Sequence, residues 1–150
     1  MAIRGFTLAE LMIVLVIGAI LLAIGIPAVD NYVQRMRISQ GIAELADNST
    51  RISKFEMSMG KLPDSINDVE KVVTTDPWGR PYEYFNLRAA KGNGQARKDK
   101  KLAPLNSDFD LYSVGRDGET QASLANAKSR DDIVRARDGR FIGTAEEFDP

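Results

Sequence analysis

The sequence predicts an α+β protein, in which a long N-terminal α-helix, membrane-spanning in its first half, packs on a small antiparallel β-sheet head. Three observations predict it. From Leu11 to Val29 there is no charged residue, and a helix of that length matches the apolar thickness of a bilayer. Beyond Pro27, the residues Tyr32, Val33, Met36, Ile38, Ile42, Leu45, Ala46, Ile52, Phe55 and Met59 recur at roughly helical spacing. After Gly60 the helical period stops, and short aromatic and β-branched runs separated by turn formers take its place.

The first element contains its own anomaly. Between Gly5 and Ala28 the one charged side chain is Glu10. A carboxylate at mid-membrane costs about 2.5–3.5 kcal/mol unless something cationic meets it, so Glu10 demands a partner. Cleavage after Gly5 would supply one, because the new α-amino group on Phe6 lies about one helical turn from Glu10, in its own chain or a neighbouring one. An ordinary signal peptide would instead need small residues before a cut at the far end of the apolar run. Ile26-Pro27-Ala28 matches that poorly.

The helix is expected from Phe6 to Met59. Pro27 cannot donate a backbone hydrogen bond and should loosen or kink it, while Gly18, Gly25 and Gly41 permit close approach or bending. No N-cap is needed where the chain begins in lipid. Gly60-Lys61-Leu62-Pro63 is a stop signal. A short helical turn is expected around Val69 to Val73, followed by the turn cluster Asp76-Pro77-Trp78-Gly79-Arg80-Pro81-Tyr82 about the single Trp. Tyr82 to Leu87 and Phe109 to Val114 read as strands, with a third, short one over Arg140 to Gly143. The Gly-, Lys- and Arg-rich segment from Arg88 to Asn106 reads as a mobile hairpin loop.

The pattern Gly-Phe-Thr-Leu-x-Glu-Leu-Met over residues 5–12 resembles the N-terminus of the type IV pilin and type II secretion pseudopilin superfamily. The resemblance implies that residues 1–5 are a leader, that a prepilin peptidase cuts between Gly5 and Phe6, and that Phe6 is then N-methylated. It makes Glu10 the assembly residue. Residues 6–29 become the transmembrane helix and filament core, 30–60 its amphipathic continuation, and 61–150 a periplasmic head. Arg4 fits the bias of positive charge toward the cytoplasm. Asp76-Pro77-Trp78-Gly79, Pro81-Tyr82 and the run Phe109 to Gly115 leading into Asp117-Gly118 make the head most similar to the major pseudopilin of type II secretion.

That branch implies a helical homo-oligomer, anchored in the bacterial inner membrane before assembly, that works with minor pseudopilins and an inner-membrane assembly platform to drive protein export. An alternative within the superfamily is a type IV pilus subunit acting in adhesion, motility or DNA uptake. The resemblance also implies a calcium ion held by the Leu111 carbonyl, Asp117 and the pair Asp131-Asp132. Calcium takes six to eight hard oxygens and tolerates irregular geometry, so loop carboxylates and carbonyls suit it. Lys128, Arg130, Arg135 and Arg137 lie nearby in sequence and offer the acids another way to be neutralised.

Composition narrows the chemistry. The chain of 150 residues has no Cys and no His, so thiol and imidazole catalysis are excluded and no disulfide is available. About 120 residues remain for one small head once the leader and anchor are set aside. A net charge of −1 gives no global attraction to nucleic acid. The basic set Arg88, Lys91, Arg97, Lys98, Lys100 and Lys101 has no interleaved aromatics for base stacking, so it reads as a solvated hairpin tip and nucleic acid is not the expected partner. Asp131-Asp132 and Glu146-Glu147 invite an acid–base reading, but no nucleophile elbow or phosphate loop accompanies them, and the protein is not expected to be an enzyme.

Overall fold

The computed structural model describes Gly5, residues 7–90 and residues 94–148. The remaining leader residues, Phe6 and Lys91 lie outside the described residues. The chain divides into two units, Met1–Met36 and Arg37–Pro150. One helix, α1 (Leu8–Met59), contributes to both.

In the first unit α1 is helical through Pro27, and its large apolar side chains are exposed almost without exception. It is the one helix among the described residues long and apolar enough to cross a membrane. Its start differs from expectation. Thr7 caps it, with the Glu10 N–H donating to Thr7 Oγ1 at 3.2 Å and the Thr7 N–H donating to Glu10 Oε2 at 2.8 Å. This is a capping box, which satisfies the orphan donors of the first turn within the chain.

In the second unit the rest of α1 packs on an antiparallel sheet of four strands, β1 (Glu83–Asn86), β2 (Phe109–Ser113), β3 (Ile133–Ala136) and β4 (Phe141–Thr144), ordered β1-β2-β3-β4. The first two fall where the aromatic and β-branched runs place them, and β4 is the expected third strand shifted by one residue. β3 was not expected as a strand. Its four residues are all buried, because Ile133 packs on the helix side of the sheet while Val134 and Ala136 face a second cluster with Leu105, Leu124 and Ala145. A strand covered on both faces loses the polar alternation by which half-buried strands are recognised.

Leu45, Ile52, Phe109, Leu111 and Ile133 form the centre of the core between α1 and the sheet. Gly41 lets the two approach: a Cβ there would stand 2.5 Å from Ile133 Cδ1. Asn48 ties α1 to the next segment through paired bonds with the Val73 carbonyl and N–H at 2.7 and 2.9 Å. The turn expected at Val69 to Val73 is instead a 3-10 turn, Ile66–Asp68, because Ser65 and Asp68 form a reciprocal capping box that fixes it earlier. The Asp76 turn is fastened to the sheet through Ser113 Oγ, which donates to Asp76 Oδ2 at 2.5 Å. Arg80 then donates to the Gly115 carbonyl at 2.7 Å, so this turn also holds the start of the β2–β3 loop.

Candidate functional site

Two places carry the predicted site residues, the start of α1 and the β2–β3 loop. At the first, Glu10 is exposed and its Oε2 accepts from both the Thr7 N–H and the Thr7 hydroxyl, each at 2.8 Å. The carboxylate therefore has donors before any second chain arrives, which lowers the cost of holding it in an apolar layer. Gly5 lies in irregular backbone before the helix, where a Cβ would meet open space. The pairing expected between Glu10 and the Phe6 amine falls outside the described residues.

The loop acids are arranged differently from a metal cage. Leu111 is buried inside β2 opposite Tyr84. Asp117 is exposed; its N–H donates to Asp131 Oδ2 at 3.0 Å and its own Oδ1 accepts from the Glu119 N–H at 2.7 Å. Asp132 turns inward, wholly buried, and its Oδ2 accepts from Arg97 Nη2 at 2.5 Å and from the Thr120 hydroxyl at 2.6 Å. Burial pushes its carboxyl up to about 6, against the opposing pull of Arg97 and Thr120. Among the described residues no group of three or more acids converges as a metal ligand set.

The buried atoms here without a hydrogen bond in the protein are Arg97 Nε and Asp132 Oδ1. Asp132 already has the Arg97 guanidinium against it, a set of N–H donors and not the six to eight oxygens that calcium takes. The donor set does not fit calcium.

Arg97 was expected on a solvated tip and is instead 3% exposed. Arg88 stays exposed, as that reading expects, and pairs with Glu56 of α1. Arg97 lies over the Tyr112 ring at 4.2 Å from its centroid, on the sheet face opposite α1. On the other face Arg135 lies 3.9 Å over the Phe109 ring and forms a two-pronged pair with Asp108, at 2.8 and 2.7 Å. Burial works against the Asp108 charge, but the Arg135 and Phe109 hydrogen bonds and the Arg135 charge outweigh it and hold the carboxyl below its usual value. Neither arginine, nor Thr120, is legible as a site residue in the sequence, since their partners are 12 to 35 positions away.

Comparison with known proteins agrees with the helix start. Residues 1–26 match the model described as "Prokaryotic N-terminal methylation motif". The chain is 30% identical to fimbrial protein Q of Moraxella bovis, over 94% of this chain and 83% of that protein. It is 32% identical to the type IV major fimbrial protein FimA of Dichelobacter nodosus, over 98% of this chain and 92% of that one. With the type II secretion system core protein G of Pseudomonas aeruginosa it shares 26% identity, over 79% and 87%. No solved structure matches.

Proposed function

The chain belongs to the type IV pilin superfamily, as a structural subunit and not an enzyme, and from that membership we propose that it is a filament subunit of the type II secretion branch. One observation carries the polymerisation. Leu11, Ile13, Leu15, Ile17, Leu21 and Ile24 are each more than half exposed, whereas Leu45 and Ile52 of the same helix are fully buried. The second half of α1 has its partner in the sheet, whereas the apolar side chains of the first half find none among the described residues of their own unit. In a bilayer lipid covers that surface; once the subunit is extracted, the helices must cover one another.

Glu10 sets the register in this reading. Pairing with the Phe6 amine of a neighbour neutralises two charges in an apolar layer, while a misplaced subunit leaves both costly. The Thr7 donors hold the carboxylate until that exchange. Prepilin peptidase, minor pseudopilins and an inner-membrane assembly platform are the partners this function requires, with the head on the periplasmic side.

The secretion branch is supported by the buried Asp76 turn locked to Ser113 and by the similarity to the Pseudomonas core protein. A second reading, a type IV pilus subunit, is favoured by the fimbrial relatives that align over most of their length. Deleting the chain from its host separates them. Loss of exported proteins with surface pili retained supports the secretion reading, and loss of pili with export intact replaces it by the second.

A further inference from the structure

We propose that Arg97 is the structural cation of this head: its guanidinium cross-links the β1–β2 and β2–β3 loops without a bound metal. Three features lead to it. The charge is internal, since Arg97 and Asp132 are 3% and 0% exposed, so the pair is not a screened surface bridge. It is also anchored at several points. Nη2 donates to Asp132, Nη1 donates to the Thr120 hydroxyl, and the plane stacks on Tyr112.

The backbone around Arg97 is fastened as well. Its N–H donates to Asp110 Oδ2 at 2.7 Å and its carbonyl accepts from the Leu105 N–H at 2.8 Å. The next residue, Lys98, exchanges backbone bonds with Ala122 and Leu124 at 2.8 and 2.9 Å, forming a parallel bridge to Ser123. Both ends of the link are therefore fixed: Arg97 by the 97–105 turn and by β2, Asp132 by its place at the head of β3.

The consequence concerns the long β2–β3 loop, which contains neither strand nor long helix. Thr120 sits near its middle and Asp132 at its end, and the same guanidinium reaches both. A guanidinium is always charged and is covalently part of the chain, so its occupancy does not depend on the surroundings as that of an ion does. The head is then indifferent to the divalent ions of its compartment, and the rigidity of residues 115–130 depends on a residue of the preceding loop.

The test uses the full chain in detergent micelles, with thermal unfolding and limited proteolysis read in excess chelator and in millimolar calcium chloride. For the unaltered protein the expected melting midpoint and cleavage pattern are the same in both. Arg97→Gln should be cut within residues 115–130 at least about tenfold faster, because Asp132 is then a buried carboxylate without its cation and that segment opens locally. Changing Asp132→Asn in the Arg97→Gln background should restore much of the protection, since both charges are then removed together. A calcium-dependent rise of several degrees in the unaltered protein, abolished by Asp132→Asn, would overturn the proposal. So would an Arg97→Gln chain protected as well as the parent. If Arg97→Gln does not accumulate, the calcium and chelator comparison on the unaltered chain decides by itself.

Discussion

Replacing Asp108 by Ala isolates the bolt that joins α1 to two strands. Arg135 of β3 donates through Nε to Ser49 of α1 at 2.9 Å, through Nη1 to the Phe109 carbonyl at 2.9 Å, and through both Nη atoms to Asp108. Its side chain is 3% exposed, and that of Asp108 is 14% exposed. Asp108→Ala removes the counter-charge and leaves a buried guanidinium that keeps only Ser49, one carbonyl and the Phe109 ring. Breaking a buried pair in this way costs about 3–5 kcal/mol, far more than the pair itself contributes relative to apolar replacements. For the unit Arg37–Pro150, an unfolding entropy of about 2.1 cal/mol/K per residue converts this to a fall in melting midpoint of about 12–20 °C. Near-ultraviolet circular dichroism of the single Trp78, in detergent micelles, reads the transition. The double variant Asp108→Ala/Arg135→Met should recover to within about 2 kcal/mol of the parent, since no charge is then stranded. A single variant that loses less than about 1 kcal/mol, or a double variant that loses the sum of both singles, refutes the reasoning.

Three further outcomes follow from the same geometry. Glu10→Ala should still insert in the membrane and still be cleaved but yield few filaments, and filaments in normal number would defeat the register role of that carboxylate. Gly115→Ala should destabilise the head by more than about 1 kcal/mol, because the backbone there has φ +66 and a Cβ would stand 2.5 Å from the Asp131 carbonyl oxygen; an unchanged melting midpoint argues against that packing. The third concerns pH. Asp108 titrates below its usual 3.8 in the folded head, so its contribution is complete above that value and is lost as pH falls through the lower, folded one. Asp108→Asn should therefore flatten the acid limb of a melting-point profile, and an acid limb as steep as the parent's would show that the loss arises elsewhere.

Elements set by local pattern were legible in the sequence, and elements set by distant partners were not. The uncharged run from Leu11 to Val29 and the helical period to Met59 specify α1, since both are properties of neighbours along the chain. Glu10 stands out because a single acid beside a long uncharged run is costly in an apolar layer. β3 was missed because Arg135 interrupts its apolar run, and that charge becomes tolerable only beside Asp108, 27 positions earlier. A local signal did exist. Asp138-Gly139, whose residues have positive φ along with Arg137, is a hairpin turn, and it implies a strand on each side. The Thr7-x-x-Glu10 spacing is likewise a capping box readable in the sequence, even at a helix start in an apolar layer. Arg97 was not readable in this way. Nothing in a run of Lys and Arg distinguishes Arg97 as a cation that folding will bury.

Mass analysis of the N-terminus of the chain recovered from sheared filaments decides whether this chain becomes a filament subunit through its N-terminal helix. Chains that begin at N-methylated Phe6 are expected, with Gly5→Leu leaving an unprocessed precursor in the membrane and no filaments. Filaments built from chains that retain residues 1–5, or a mature chain that begins near Val29, would contradict it.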